Sequence, residues 1–223
     1  MSEAVSPMRR SVVVRVSVGV AAAMAAVMLG TAQAGPKEDF FKAVELDRPQ
    51  FVRSVIEAGF DPNTADDRGQ TGLGIAMREG CFAAAEALLA FKQVQIDLPN
   101  AAGETPLMMA ALRGHEAWVR RLLERGAAVN RPGWSPLHYA ASGPEPKVIE
   151  LLLARGALID APSPNGSTPL MMAAGYGAVD GAALLLARGA DARPRNRAGL
   201  DAADFARRAG RDALAARIGA GVR

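Results

Sequence analysis

The chain has 223 residues, a formal net charge of +3, one cysteine, two tyrosines and two tryptophans. One thiol excludes an internal disulfide. Arg9, Arg10, Arg15 and Glu3 lie within the first 34 residues, so the remainder carries 23 basic and 22 acidic side chains. That balance removes the broad basic surplus expected of a nucleic-acid-binding chain.

Three arginines precede an apolar run over residues 16–29, and Ala32-Gln33-Ala34 then offers a small-x-small cleavage site. This is the pattern of a secretory signal peptide spanning residues 1–34. The alternative is a retained membrane anchor, but the run is shorter than the ~20 apolar residues a spanning helix needs. The segment reads more compactly from Met8. Arg9-Arg10 raises twin-arginine export, yet Ser11-Val12-Val13-Val14 fits that pattern poorly and favours the general route. Composition rich in Ala and Arg, with no cysteine pair, points to a bacterial periplasmic protein with no membrane contact after cleavage.

Beyond the leader the chain repeats itself. Thr105-Pro106-Leu107-Met108-Met109-Ala110-Ala111 returns as Thr168-Pro169-Leu170-Met171-Met172-Ala173-Ala174, with Ser135-Pro136-Leu137-His138-Tyr139-Ala140-Ala141 between. A degenerate copy precedes them at residues 69–76. Each full copy is followed by a Leu-Leu pair and Arg-Gly-Ala, ending at Ala127, Ala157 and Ala190. Thr105, Ser135 and Thr168 are expected as helix N-caps that accept from free amides of the first turn. The prolines after them occupy the first helical position, where a missing N–H costs nothing. Gly126, Gly156 and Gly189 are placed to end the second helices in the left-handed conformation. Asp201-Ala202 stands in for the Thr-Pro pair in a last, divergent copy.

A period near 33 residues with these motifs resembles the ankyrin repeat. The resemblance implies an all-α solenoid of stacked helix-turn-helix units joined by short, β-hairpin-like finger loops. It divides the chain into an N-terminal capping repeat (residues 35–66), four repeats (67–193) and a C-terminal cap (194–223). Caps are expected because terminal repeats must show one polar face to water. Gly69 to Gly103 spans 34 residues and Gly133 to Gly166 spans 33, but Gly103 to Gly133 spans 30. The missing residues are assigned to the loop 130–134, whose finger should be clipped. Length changes in repeat arrays fall in loops on one face, often the binding face.

Little in the chain suggests catalysis. His138 belongs to the repeat motif and His115 opens a second helix, which leaves no spare imidazole for acid–base work. Cys81 occupies the matching position one repeat earlier and reads as a small core residue. No Cys/His cluster for zinc, no Gly-x-Ser-x-Gly elbow and no phosphate-binding loop is present, and no cofactor is expected. Asp66-Asp67 is a paired carboxylate on a projecting turn, the one feature a carboxylate-based hydrolase would use.

The resemblance places binding on the concave face and the fingers. Ile75, Met109, Tyr139 and Met172 take the position after the motif His, facing the groove. Arg78, Leu112, Arg113, Ser142 and Tyr176 lie about one turn on, and Arg131 and Trp134 stand in the clipped finger. Both tyrosines and one tryptophan therefore fall on the expected binding side, and Tyr, Trp, Met and Arg are enriched at interfaces. Tyr139, Tyr176 and Trp134 are expected to form one apolar patch flanked by Arg113 and Arg131. Trp118 reads as second-helix packing. Charge is also polarised: residues 35–70 carry a net −3 and residues 188–223 a net +5, a distribution that orients charged partners. The expected function is a monomeric, non-catalytic adaptor that binds a periplasmic protein as accessory to a resident enzyme, such as one of stress defence. An immunity protein that blocks a toxin is the alternative within the binding class.

Overall fold

A computed structural model describes residues 35–220; the leader and its cleavage site lie outside the described residues. The architecture is all-α. The helices are α1 (Pro36–Glu45), α2 (Pro49–Glu57), α3 (Gly72–Glu79), α4 (Phe82–Leu89), α5 (Pro106–Leu112), α6 (Glu116–Glu124), α7 (Pro136–Ser142), α8 (Pro146–Ala154), α9 (Pro169–Gly175), α10 (Val179–Ala187), α11 (Ala202–Arg208) and α12 (Asp212–Ala220). The first helices of successive units stack in chain order, α1 on α3, then α5, α7, α9 and α11. The second helices form another layer, α2 on α4 and α6 on α8 and α10. The β pairing among the described residues is one isolated bridge, Ala65 to Thr71. No described helix is long and apolar enough to cross a membrane.

The capping chemistry explains the short first helices. Thr71, Thr105 and Thr168 each accept from the amide three residues on, at 3.1, 3.3 and 3.4 Å. Asp201 does the same for Asp204 at 2.9 Å. Ser135 departs from the expected pattern: its hydroxyl lies 2.8 Å from His138 Nδ1 instead of serving an amide. The hydroxyl donates its hydrogen bond to the imidazole Nδ1, and the amide of His138 finds the Ser135 carbonyl at 3.0 Å.

Loops are tied across the stack by one recurring device. Asn63 Oδ1 accepts from the Gln95 amide, Asp97 from Ala128, Asn130 from Leu158 and Asp160 from Asp191, each in the next unit. From this tie to the N-cap runs eight residues in three units (63 to 71, 97 to 105, 160 to 168) but five from 130 to 135. Two of these fingers, and the one before α11, close with Asp66, Asn100 or Asn196 accepting two amides of its own turn, whereas in 160–168 Asn165 accepts from the Ser167 amide and the Ser163 hydroxyl. The loop between 130 and 135 is three residues shorter and has no such turn-closing side chain, so the third finger is clipped as its length requires.

The core is small and tightly packed. Ala110, Ala111, Ala140, Ala141, Ala173 and Ala174 are all essentially inaccessible, which lets neighbouring helices approach closely. Gly126 ends α6 at φ +93, a conformation that costs other residues about 1 kcal/mol or more. At the C-terminal end, Arg211 donates one Nη1 to the carbonyls of Ala173, Ala174 and Gly177 at 3.1, 3.2 and 2.8 Å. A cation on the last carbonyls of α9 satisfies groups that a helix end leaves open.

Candidate protein-binding groove

Five side chains line up along the first helices, each four residues past its N-cap: Ile75, Met109, Tyr139, Met172 and Phe205. Their exposure differs. Ile75 is 1 % exposed and Met109 5 %; both are core residues, which corrects the expectation that they face the groove as contacts. Tyr139, Met172 and Phe205 are half-buried. The position three residues further on decides the relief. It holds Arg78, Leu112, Ser142, Gly175 and Arg208. Long side chains sit at both ends of this row and the two smallest sit in its middle, where hollows form.

The first hollow, about 240 Å³, is lined by Leu112, Trp134, His138, Tyr139, Ser142 and Met172. Trp134 directly precedes its N-cap, as Glu104 does one repeat earlier. With the finger clipped, its ring packs edge-on against His138, centroids 5.2 Å apart. The Tyr139 hydroxyl donates to Glu104 at 2.9 Å. Burial, and then the Glu104 carboxylate beside it, push that phenol well above its usual range, so it stays a neutral donor. The other Glu104 oxygen accepts from Asn100. Thus one face of Tyr139 is pinned to the preceding finger while the ring walls the hollow.

His138 is the buried hinge of this wall. Its Nδ1 accepts from the Ser135 amide at 3.2 Å and lies 2.8 Å from the Ser135 hydroxyl. Its Nε2 lies 3.0 Å from the Ser167 carbonyl. A carbonyl only accepts, so Nε2 carries the proton and the ring is the neutral Nε2–H tautomer. Burial holds its pKa below the ordinary histidine value. Met108 and Met171 fill the same position in the adjacent repeats and offer Sδ to the N-cap amide at 3.4 Å.

The second hollow, about 220 Å³, is lined by Gly175, Tyr176, Leu200, Phe205, Arg208 and Ala209. Tyr176 is 65 % exposed and meets Phe205 edge-on, centroids 6.3 Å apart. The expected single patch is therefore two: Tyr139 and Trp134 share one hollow, Tyr176 belongs to the other. Both border α9, on which Met172 and Tyr176 are one turn apart. Phe205 and Leu200 escaped the sequence reading, although Phe205 stands four past Asp201 just as Tyr139 stands four past Ser135.

The arginines expected as flanks line neither hollow. Arg78 pairs with Glu79 at 2.7 Å. Arg131 reaches the Gly103 carbonyl at 3.4 Å and braces the clipped loop against the preceding finger. Arg113 is exposed, and its charge helps depress the pKa of His115, second to burial. His115 packs edge-on against Phe82 with its Nε2 buried and unpaired among the described residues. Trp118 is 8 % exposed, stacks on Phe82 and lies under Arg121. Cys81 is buried and its thiol pushed up, chiefly by burial, an unreactive setting.

The carboxylates suit structure better than acid–base work. Asp66 closes a turn. Asp67 takes a 2.7 Å ion pair from Lys37, and that hydrogen bond holds its pKa below the usual value, opposite to the raised value a general acid needs. Among the described residues no group of three or more His, Cys, Asp and Glu side chains is arranged to hold a metal.

A sequence profile of ankyrin repeats in three copies matches residues 40–132 and 129–196. The chain belongs to the ankyrin-repeat family. It is 32 % identical over 161 residues to the mouse B-cell lymphoma 3 protein homolog, covering 69 % of this chain and 36 % of that protein. It is 43 % identical over 93 residues to human neurogenic locus notch homolog protein 4, covering 40 % of this chain and 5 % of that one. Over 161 residues it is 30 % identical to the chicken nuclear factor NF-kappa-B p105 subunit, covering 69 % and 16 % respectively. The chain thus spans about a third or less of these relatives. Ankyrin repeats mediate protein–protein interaction, and the family is typically non-catalytic.

Proposed function

We propose that this protein is a non-catalytic adaptor that binds one partner protein in the groove over α5, α7 and α9. The observation that carries the reading is the hollow beside Tyr139. A cavity of about 240 Å³ is walled by Trp134, Tyr139, Met172 and Leu112, which are neither fully buried nor free. Apolar walls with a few fixed polar groups accept an anchoring side chain. Tyr176 on the adjoining turn extends the same face. Arg78, Arg113 and Arg131 lie beyond the hollows and act at the rim.

The deciding experiment is affinity capture from periplasmic extract with the wild-type protein and Trp134→Ala. Truncation of an interface anchor typically costs ~2 kcal/mol or more, so capture of the same partner should weaken at least tenfold. The melting temperature should move little. Tyr139→Ala should weaken capture comparably but also lower stability, because it breaks the tie to Glu104. Normal binding by both variants would place the binding face elsewhere.

The compartment belongs to the same proposal. The charged start, apolar run and Ala32-Gln33-Ala34 support cleavage after Ala34 and a periplasmic site of action, where the adaptor would serve a resident enzyme. Intact mass of protein from the periplasmic fraction should correspond to a chain starting at Gly35. A mass retaining residues 16–34, in protein that pellets with membranes, would instead mean an anchor.

A further inference from the structure

The two hollows differ in their charge, and the difference specifies what fills them. No carboxylate lines either one. Arg208 lines the second and is exposed. Of the acids nearest to it in sequence, Asp204 pairs with Arg195 and Arg207, and neither Asp204 nor Asp212 forms an ion pair with Arg208 among the described residues. Glu104, beside the first hollow, has both oxygens occupied by Tyr139 and Asn100. Glu79 is held by Arg78. Arg208 is therefore an unpaired cation at the second hollow, and Arg113 likewise has no ion pair among the described residues, whereas Glu104, hydrogen-bonded only by neutral groups, keeps its negative charge beside the first hollow.

We propose that the groove takes an extended acidic segment of the partner, with two apolar side chains seated in the two hollows and a carboxylate against Arg208. This rests on the groove being the binding face. The first hollow is centred on α7, between Leu112 of α5 and Met172 of α9, and the second lies between α9 and α11, so they stand about one and a half helix spacings apart, ~12–15 Å. An extended chain rises about 3.3 Å per residue, so the two anchors stand about four residues apart. The small Ser142 leaves the first hollow open, as Gly175 leaves the second open against Phe205. A Cβ at Gly175 would meet that ring at 3.0 Å.

The test uses phage-displayed random dodecapeptides selected on the purified protein, followed by synthetic peptides of the recovered sequences. The expected consensus is two aromatic or large aliphatic residues about four apart, with Asp or Glu beside the second. Ser142→Leu, which puts at this position the residue Leu112 already supplies one repeat earlier, should reduce binding at least tenfold. Arg208→Glu, at an exposed site, should do the same without altering the melting curve, and raised salt should weaken the wild-type interaction. Peptides that respond to Ser142→Leu but are basic or neutral, and indifferent to Arg208→Glu, overturn the acidic assignment alone. Peptides indifferent to both substitutions overturn the groove as well.

Discussion

Gly177→Ala is expected to be among the most damaging single substitutions in the array. A Cβ at Gly177 would stand 1.9 Å from the Ala141 carbonyl oxygen and 3.1 Å from the Ala173 Cα. Both obstacles are helix backbone, in α7 and α9, so no side chain can swing aside. The substitution must push the third and fourth repeats apart. Overpacking typically costs ~1–3 kcal/mol and occasionally more; a clash with rigid backbone belongs at or above the top of that range. Stability in a solenoid is carried by nearest-neighbour interfaces, and this one lies mid-array. A loss of ~3 kcal/mol corresponds to a fall in melting temperature on the order of 10 °C for a chain of this size. Gly189→Ala is the control. Gly189 has φ +90 but no atom within 4 Å of its would-be Cβ, so only conformational strain of ~1 kcal/mol applies. Urea and thermal melts should separate the two clearly. Equal losses would mean that the α7–α9 contact relaxes freely.

His138→Ala should cost ~3 kcal/mol or more, through a cavity and the polar groups it leaves unpaired. His138→Met is the informative partner, because methionine fills this position in the repeats on either side. Met can offer Sδ to the N-cap amide as Met108 and Met171 do, but it cannot donate to the Ser167 carbonyl. That carbonyl still accepts from the Ser163 amide at 2.9 Å. The expected cost at pH 7.5 is therefore only ~1–2 kcal/mol. The two proteins should also differ in pH dependence. The folded pKa of His138 is depressed below the ordinary value near 6.5, so the unfolded chain binds the proton first. Stability is then fully present above about 6.5 and is lost as the pH falls through the lower folded value. Denaturant melts between pH 7.5 and 5.5 should show a steeper loss in the wild type than in His138→Met. His115, also depressed by burial and by Arg113, supplies the slope that remains. Identical slopes would show that His138 titrates without penalty in the folded protein.

The sequence by itself determined the features whose causes are local. A hydroxyl or carboxylate before a short apolar run caps a helix through its own first turn, so Thr105, Thr168 and Asp201 were legible as helix starts. Residue counting likewise located the clipped finger, because the N-cap and the loop tie fix both of its ends. Tertiary structure decided what depends on the neighbouring repeat. Ile75, Met109, Tyr139 and Met172 hold one motif position, yet two are buried and two wall a hollow. The row beside them changes from Arg78 and Leu112 to Ser142 and Gly175, and side-chain bulk there sets the relief. Gly177 shows the same division. It shares a motif position with Gly80 and Gly114, which are left-handed at φ +79 and +75. Gly177 has no such φ; what it needs is the absence of a side chain where the carbonyl of another helix passes, a requirement that exists only once the repeats are stacked.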